Sequence, residues 1–147
     1  MPSTFLSLHY HVVFSTKDRR PLLRTDWRAE LHDYLGGTVN ALGGISQIVG
    51  GMTDHVHLLF GLKATHCLAD FMRELKKASS KWIVERHDRE FAWQDGYAAF
   101  SVSASGRDKV RDYIRDQEKH HAQRNYAEEL KTLLEKHGVT YDPRYLV

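Results

Sequence analysis

The sequence predicts an α+β domain in which helices pack on an antiparallel sheet. Three observations carry this expectation. Apolar and polar side chains alternate with period two over residues 6–14, two short apolar runs flank Gly50-Gly51, and stripes of helical spacing lie between and after these runs.

Taken in order, Leu8, Tyr10, Val12 and Phe14 alternate with His9, His11 and Val13, in a β-branched and aromatic segment that reads as a strand. The string KDRRPLLRTD ends it, because Pro21 removes a ladder donor, and Thr25 or Asp26 is placed to cap a helix. Trp27, Leu31, Tyr34, Leu35 and Leu42 keep one face of that helix, Gly36-Gly37 weakens its middle, and Gly43-Gly44 is suited to its left-handed end. Residues 45–49 and 54–62 read as a hairpin of antiparallel strands. A helix over residues 68–87 follows, with Leu68, Phe71, Met72, Leu75, Trp82 and Ile83 on one stripe and Arg73, Lys76, Lys77 and Lys81 on another.

Residues 97–103 read as a further strand, and Ser105 with Asp108 resembles a capping box opening a helix that carries Val110, Tyr113, Ile114, Gln117 and His121. Asn125 with Glu128 is a second such pair, before a last helix over 126–137 ended by Gly138. The order strand, helix, hairpin, helix, strand and helices suits a ferredoxin-like sheet of four to five strands.

The 147 residues, 41% hydrophobic and 27% charged, fit a single domain over residues 1–147 with its own core. The formal charge of +2 does not by itself predict a nucleic-acid partner, although it leaves room for a basic face. Cys67 is the only cysteine, which excludes an internal disulfide and any Cys-rich zinc site. No signal-like start and no membrane-length apolar run are present, so a cytoplasmic protein is expected.

Residues two apart in a strand share a face, so His55 and His57 project together while Val56, Leu58 and Phe60 point away. Such a pair either grips a metal ion at two points or is hydrogen-bonded. Two imidazoles alone leave a divalent ion short of donors. Tyr113 and Gln117, four apart on a helix, are neighbours. Spacing alone allows Tyr113 to be a core aromatic with Gln117 as its hydrogen-bond partner.

The strings YHVVFSTKDRRPLL, DHVHLLFGL, FAWQDGYAAFSVS and VRDYIRDQEKHH occur in this order. Together they resemble the single-tyrosine HUH transposases of bacterial insertion sequences, including the repeat-associated tyrosine transposases, over residues 8–146. The resemblance implies that His55 and His57 bind a divalent metal, Mg²⁺ or Mn²⁺, with Gln117 as a third ligand. It also implies that Tyr113, on a C-terminal helix, attacks the DNA backbone and forms a 5′-phosphotyrosine. Two imidazoles would also accept zinc, and no residue identifies itself as the base for Tyr113, with His120 and His121 as open candidates.

The same resemblance implies a single-stranded DNA substrate with a hairpin end, and a homodimer in which the tyrosine helix can complete the partner's site, with sharing left open. Lys17, Arg19, Arg20 and Arg24, in the loop after the first strand, and Arg73, Lys76, Lys77 and Lys81 are candidate phosphate contacts; a solvated charged face is the alternative. Three other functions stay open: a non-catalytic nucleic-acid-binding module, a metal-dependent hydrolase using water, and a replication or mobilisation initiator.

Overall fold

The computed structural model describes residues 3–121 and 124–146, the side chains of His120 and His121 excepted. Four strands form one antiparallel sheet: β1 (His9–Ser15), β2 (Ile45–Gly51), β3 (His55–Gly61) and β4 (Ala98–Val102). Their spatial order is β2-β3-β1-β4, with helix α1 (Thr25–Ala41) between β1 and β2 and α2 (Leu68–Arg86) between β3 and β4. This is the interleaved β-α-β arrangement of ferredoxin-like sheets.

The central strands β1 and β3 pair with Val13 opposite His57 and Ser15 opposite His55. Every residue of β3 is buried, because helices cover both faces of the sheet. One face sends Val12, Phe14, Val56, Leu58 and Phe60 into a core closed by Leu31, Leu35 and Val39 of α1 and Phe71, Met72 and Leu75 of α2. Burial of each large side chain stabilises the fold by roughly 1.5–3 kcal/mol. The opposite face carries Val13 and Phe100 against Tyr126, Leu130 and Leu134 of α5 (Tyr126–Lys136). His55 and His57 belong to this second face.

The expected helix after β4 is broken in two. Helix α3 (Arg107–Arg115) holds Tyr113, and α4 (Gln117–His121) starts at Gln117 after a break at Asp116. Two helices therefore follow the one that carries Tyr113. The cap before α3 also differs from the expected Ser105–Asp108 pair: Ser103 Oγ accepts from Gly106 N at 3.1 Å, closing a short 3₁₀ turn first. At α1 the cap position falls on Arg24, with no side-chain cap bond, and Thr25 is already helical. Asn125 does cap α5, its Oδ1 accepting from Glu128 N at 2.9 Å. Gly43 ends α1 with φ +90°, as its residue type permits.

Gly50 lets α3 lie directly on β2. A Cβ there would sit 2.6 Å from the Ile114 carbonyl oxygen and 2.9 Å from Ile114 Cγ2. Gly50→Ala should therefore push α3 off the sheet, costing about 1–3 kcal/mol in urea denaturation. Because Ile114 neighbours Tyr113 in the chain, the variant should also displace the Tyr113 side chain. Unchanged stability would show that α3 yields without leaving the sheet.

His32 lies one turn after Arg28 on α1, and its buried Nε2 has no hydrogen-bond partner among the described residues. Burial first and the Arg28 charge second pull its pKa down to about 4, against a weaker pull upward from Asp33. The unfolded chain takes up this proton near pH 6.5, whereas the folded chain refuses it until about 4. Its contribution is thus intact above pH 6.5 and is lost as the pH falls through that window. Between pH 7.5 and 5 the wild type should lose roughly 2 kcal/mol more stability than His32→Gln in urea melts. Parallel losses in the two proteins would locate the acid sensitivity elsewhere.

Candidate functional site

The site lies on the face of the sheet covered by α3, α4 and α5. Strand periodicity aims His55 and His57 at this face, and each ring is held at Nδ1. His55 Nδ1 lies 2.7 Å from Asp54 Oδ1, and His57 Nδ1 lies 2.8 Å from His11 Nε2 on the adjacent strand. Fixing one ring nitrogen orients the other, so both Nε2 atoms turn toward a common point.

At that point stands Glu129, a wholly buried carboxylate on α5. Its Oε1 accepts from His57 Nε2 at 2.9 Å and lies 3.4 Å from His55 Nε2. Its Oε2 accepts from Gln117 Nε2 at 3.1 Å and from the Tyr113 hydroxyl. Gln117 also brings Oε1 to 3.1 Å from His55 Nε2. The tyrosine ring stands edge-on to His57, with centroids 5.8 Å apart.

An isolated buried carboxylate is costly, and this one is stabilised by the groups around it. Burial lowers the affinity of His55 for a proton, but its hydrogen bonds to Asp54 and Glu129 outweigh that and raise its pKa to about 9. Without a metal ion the carboxylates therefore favour the protonated His55 ring, and a cation bound at Nε2 would take the place of that proton. The Tyr113 pKa is also raised: burial and the adjacent Glu129 charge push it far above the usual phenol range, while Arg124 pulls it back somewhat. The hydroxyl rests as a proton donor to Glu129.

The donor atoms of His55, His57 and Glu129 lie within 4.8 Å of one another. Two imidazole nitrogens and one carboxylate oxygen, all buried and oriented by second partners, form a set suited to a divalent cation.

Comparison with known proteins bears on what this arrangement serves. Residues 4–117 match the family described as IS200-like transposase. The chain belongs to the IS200-like transposase family. It is 28% identical over 118 residues to the ISDra2 transposase TnpA of Deinococcus radiodurans, covering 75% of this chain and 84% of that protein. The crystal structure of a candidate transposase from Deinococcus radiodurans R1 superposes with a TM-score of 0.64 at 26% identity, over 80% of this chain and 96% of the other. A REP-associated tyrosine transposase solved bound to a REP hairpin shares the fold, with a TM-score of 0.60 at 15% identity, over 82% of this chain and 74% of the other.

Of the residues this IS200-like transposase was expected to use, His55, His57, Gln117 and Tyr113 come together, and they do so within one chain. The basic groups do not join them. Arg73, Lys76, Lys77 and Lys81 lie on α2, which covers the opposite face of the sheet. Lys76 donates to the Gln94 and Gly96 carbonyls at 2.6 Å each, Arg73 pairs with Asp70, and Lys81 pairs with Glu85. Lys17, Arg19, Arg20 and Arg24 are exposed, Arg24 beside Asp26. Burial and the Glu129 charge raise the Tyr126 pKa, and of these basic residues Arg19 comes close enough to oppose that rise.

Trp93 is buried and donates to Ser79 Oγ at 3.0 Å, and Gln94 accepts from Ser15 N. The His120 and His121 side chains lie outside the described residues. Among the described residues no helix is long and apolar enough to cross a membrane.

Sequence reasoning missed Glu129 and His11. Glu129 did leave a trace, since it falls on the apolar stripe of α5 beside Tyr126, Leu130 and Leu133. An acid in such a stripe must find a partner when the stripe is buried. His11 left none beyond its inward register in β1.

Proposed function

We propose that this transposase cleaves and rejoins single-stranded DNA with Tyr113 as nucleophile and a divalent metal ion at His55, His57 and Glu129. The observation that carries this reading is the convergence of the Tyr113 hydroxyl and both imidazole Nε2 atoms on one buried carboxylate. An ion so held would draw charge from a non-bridging oxygen of the scissile phosphate. Mg²⁺ or Mn²⁺ suits an oxygen-rich set made of Glu129, the Gln117 amide and a phosphate.

The remaining work falls to side chains of this chain. Glu129 divides its two oxygens, Oε1 toward the histidines and Oε2 toward Tyr113. Oε2 is placed to accept the phenolic proton as the Tyr113 oxygen bonds to phosphorus and the P–O3′ bond breaks. The departing O3′ takes up a proton from water, giving a 5′-phosphotyrosine and a free 3′-hydroxyl; reverse attack by such a hydroxyl, with Glu129 returning the phenolic proton, rejoins strands without ATP. Asp54 and His11 hold the histidine rings in orientation throughout.

For the substrate we take a hairpin-ended single strand, by likeness to the solved transposase bound to a REP hairpin. We assign phosphate contacts to Lys17, Arg19 and Arg20, which are exposed at the mouth of the β1–α1 loop, rather than to the α2 bases behind the sheet. A homodimer is compatible with this site. We propose that each protomer uses its own Tyr113.

The test incubates the protein with labelled single-stranded DNA from the flanks of its own gene, in Mg²⁺ or Mn²⁺ and with a chelator. A denaturation-resistant protein–DNA adduct is expected only with metal. Cleavage without an adduct would assign the attack to water, and binding without cleavage would leave a nucleic-acid-binding module. Mixed His57→Ala and Tyr113→Phe protomers should stay inactive; recovered adduct would place the tyrosine in the partner's site.

A further inference from the structure

A second feature lies just outside the buried centre. A cleft of about 490 Å³ opens between α3, β4 and α5, and Tyr113 and His11 form part of its wall. Its volume falls within the range of small-molecule sites. Three cations line it from separate elements: Lys109 on α3, Arg124 just before α5, and Lys136 at the end of α5. No acidic side chain is among its described lining residues.

The charge reaches the reacting groups. Tyr113 and His11 share the wall of the cleft with these three cations. The cleft is not merely a basic patch, because Val102, Val110 and Leu133 give it an apolar wall. His137 is stacked on Phe100 at 4.4 Å, which fixes an aromatic surface at its edge. Apolar walls under a rim of cations match a nucleotide, whose base is flat and apolar on its faces and whose phosphate is anionic.

We infer that this cleft binds the nucleotide next to the phosphate attacked by Tyr113, with its phosphate among Lys109, Arg124 and Lys136 and its base against Val102, Val110 and Leu133. This rests on the proposed function for the position of the scissile phosphate. A strand running from the metal-facing histidines past Tyr113 enters the cleft next, and bound there it is held in line for attack. The site therefore contributes both affinity and register, with no base-edge hydrogen bonds required from the cations.

The test measures binding rather than cleavage, so it is separable from the adduct assay. Fluorescence anisotropy would follow a labelled oligothymidylate of about 12 nucleotides in metal-free buffer across a salt series. Lys109 and Lys136 are both exposed, so their replacement leaves the core intact. Lys109→Ala with Lys136→Ala should weaken binding about tenfold and flatten the salt slope by about 0.7 for each phosphate left without its cation.

A control pair, Lys63→Ala with Arg89→Ala, removes the same charge from exposed positions outside the cleft. It should change affinity less than about threefold. The charge-retaining Lys109→Arg with Lys136→Arg should stay near wild type. Equal losses in the cleft and control pairs, or no loss in either, would overturn the cleft as a nucleotide site. A missing adduct in wild type would instead overturn the proposed function.

Discussion

Tyr113→Phe is expected to abolish the protein–DNA adduct, reducing cleavage by at least roughly a thousandfold. The substitution removes one oxygen and leaves the ring, which stands edge-on to His57 and His11. The hydroxyl donates to Glu129, and that carboxylate keeps its bonds to His57 and Gln117. Stability should consequently change by no more than about 1 kcal/mol, the ordinary net value of one hydrogen bond. Oligonucleotide binding should persist, because the cations that would hold phosphate are untouched. Gel analysis after denaturation, beside a binding titration, separates the two effects. An adduct that persists in Tyr113→Phe would assign the nucleophile to another residue.

Glu129→Gln should be the most damaging change at the proposed metal site. The amide keeps the length of the side chain and an oxygen acceptor, so the packing of α5 is retained. What disappears is the negative charge beside two imidazoles, which is the part a divalent ion requires. Even second partners of metal ligands commonly change affinity or activity by about 10–100-fold, so loss of a direct carboxylate ligand should reach at least that range. Calorimetric titration with Mn²⁺ would measure it. Gln117→Ala is the companion variant, since family resemblance pointed to Gln117 as the third ligand. A smaller loss in Gln117→Ala than in Glu129→Gln is expected, because Gln117 contributes a neutral amide oxygen. The reverse order would restore Gln117 as the principal third ligand.

These two variants also mark how much of the site was legible beforehand. The histidine pair was legible because side-chain direction in a strand is a local, period-two property, and the strings around it matched a known family. Tyr113 and Gln117 were legible as neighbours because four residues make about one helical turn, and they stay neighbours across the break at Asp116. The Gln117 amide remains within 3.5 Å of the Tyr113 carbonyl. The break itself was not anticipated, since helical periodicity runs through it. Nor was the Ser103 cap, because Ser105 with Asp108 fits the same pattern a little later in the chain.

The basic residues show the limit of pattern from the other side. Lys76 looked like a member of a charged face on α2, yet its ammonium is taken up by two backbone carbonyls of the segment before β4. Burial accordingly lowers its pKa, with Asp95 opposing. Charge periodicity along a helix says which residues share a side, and nothing about what approaches that side from elsewhere in the chain.

Short-range periodicity and matched strings were enough to specify the strands, the main helices, the shared face of His55 and His57, and the family. Which groups meet was settled by packing. His11 reaches His57 across 46 positions and Glu129 reaches it across 72. Those meetings follow from which face of the sheet α5 buries and from the β1–β3 register. Neither is a local property, since both come from covering apolar surface that belongs to distant parts of the chain. The buried acid on α5 turned a pair of histidines and a tyrosine into one site.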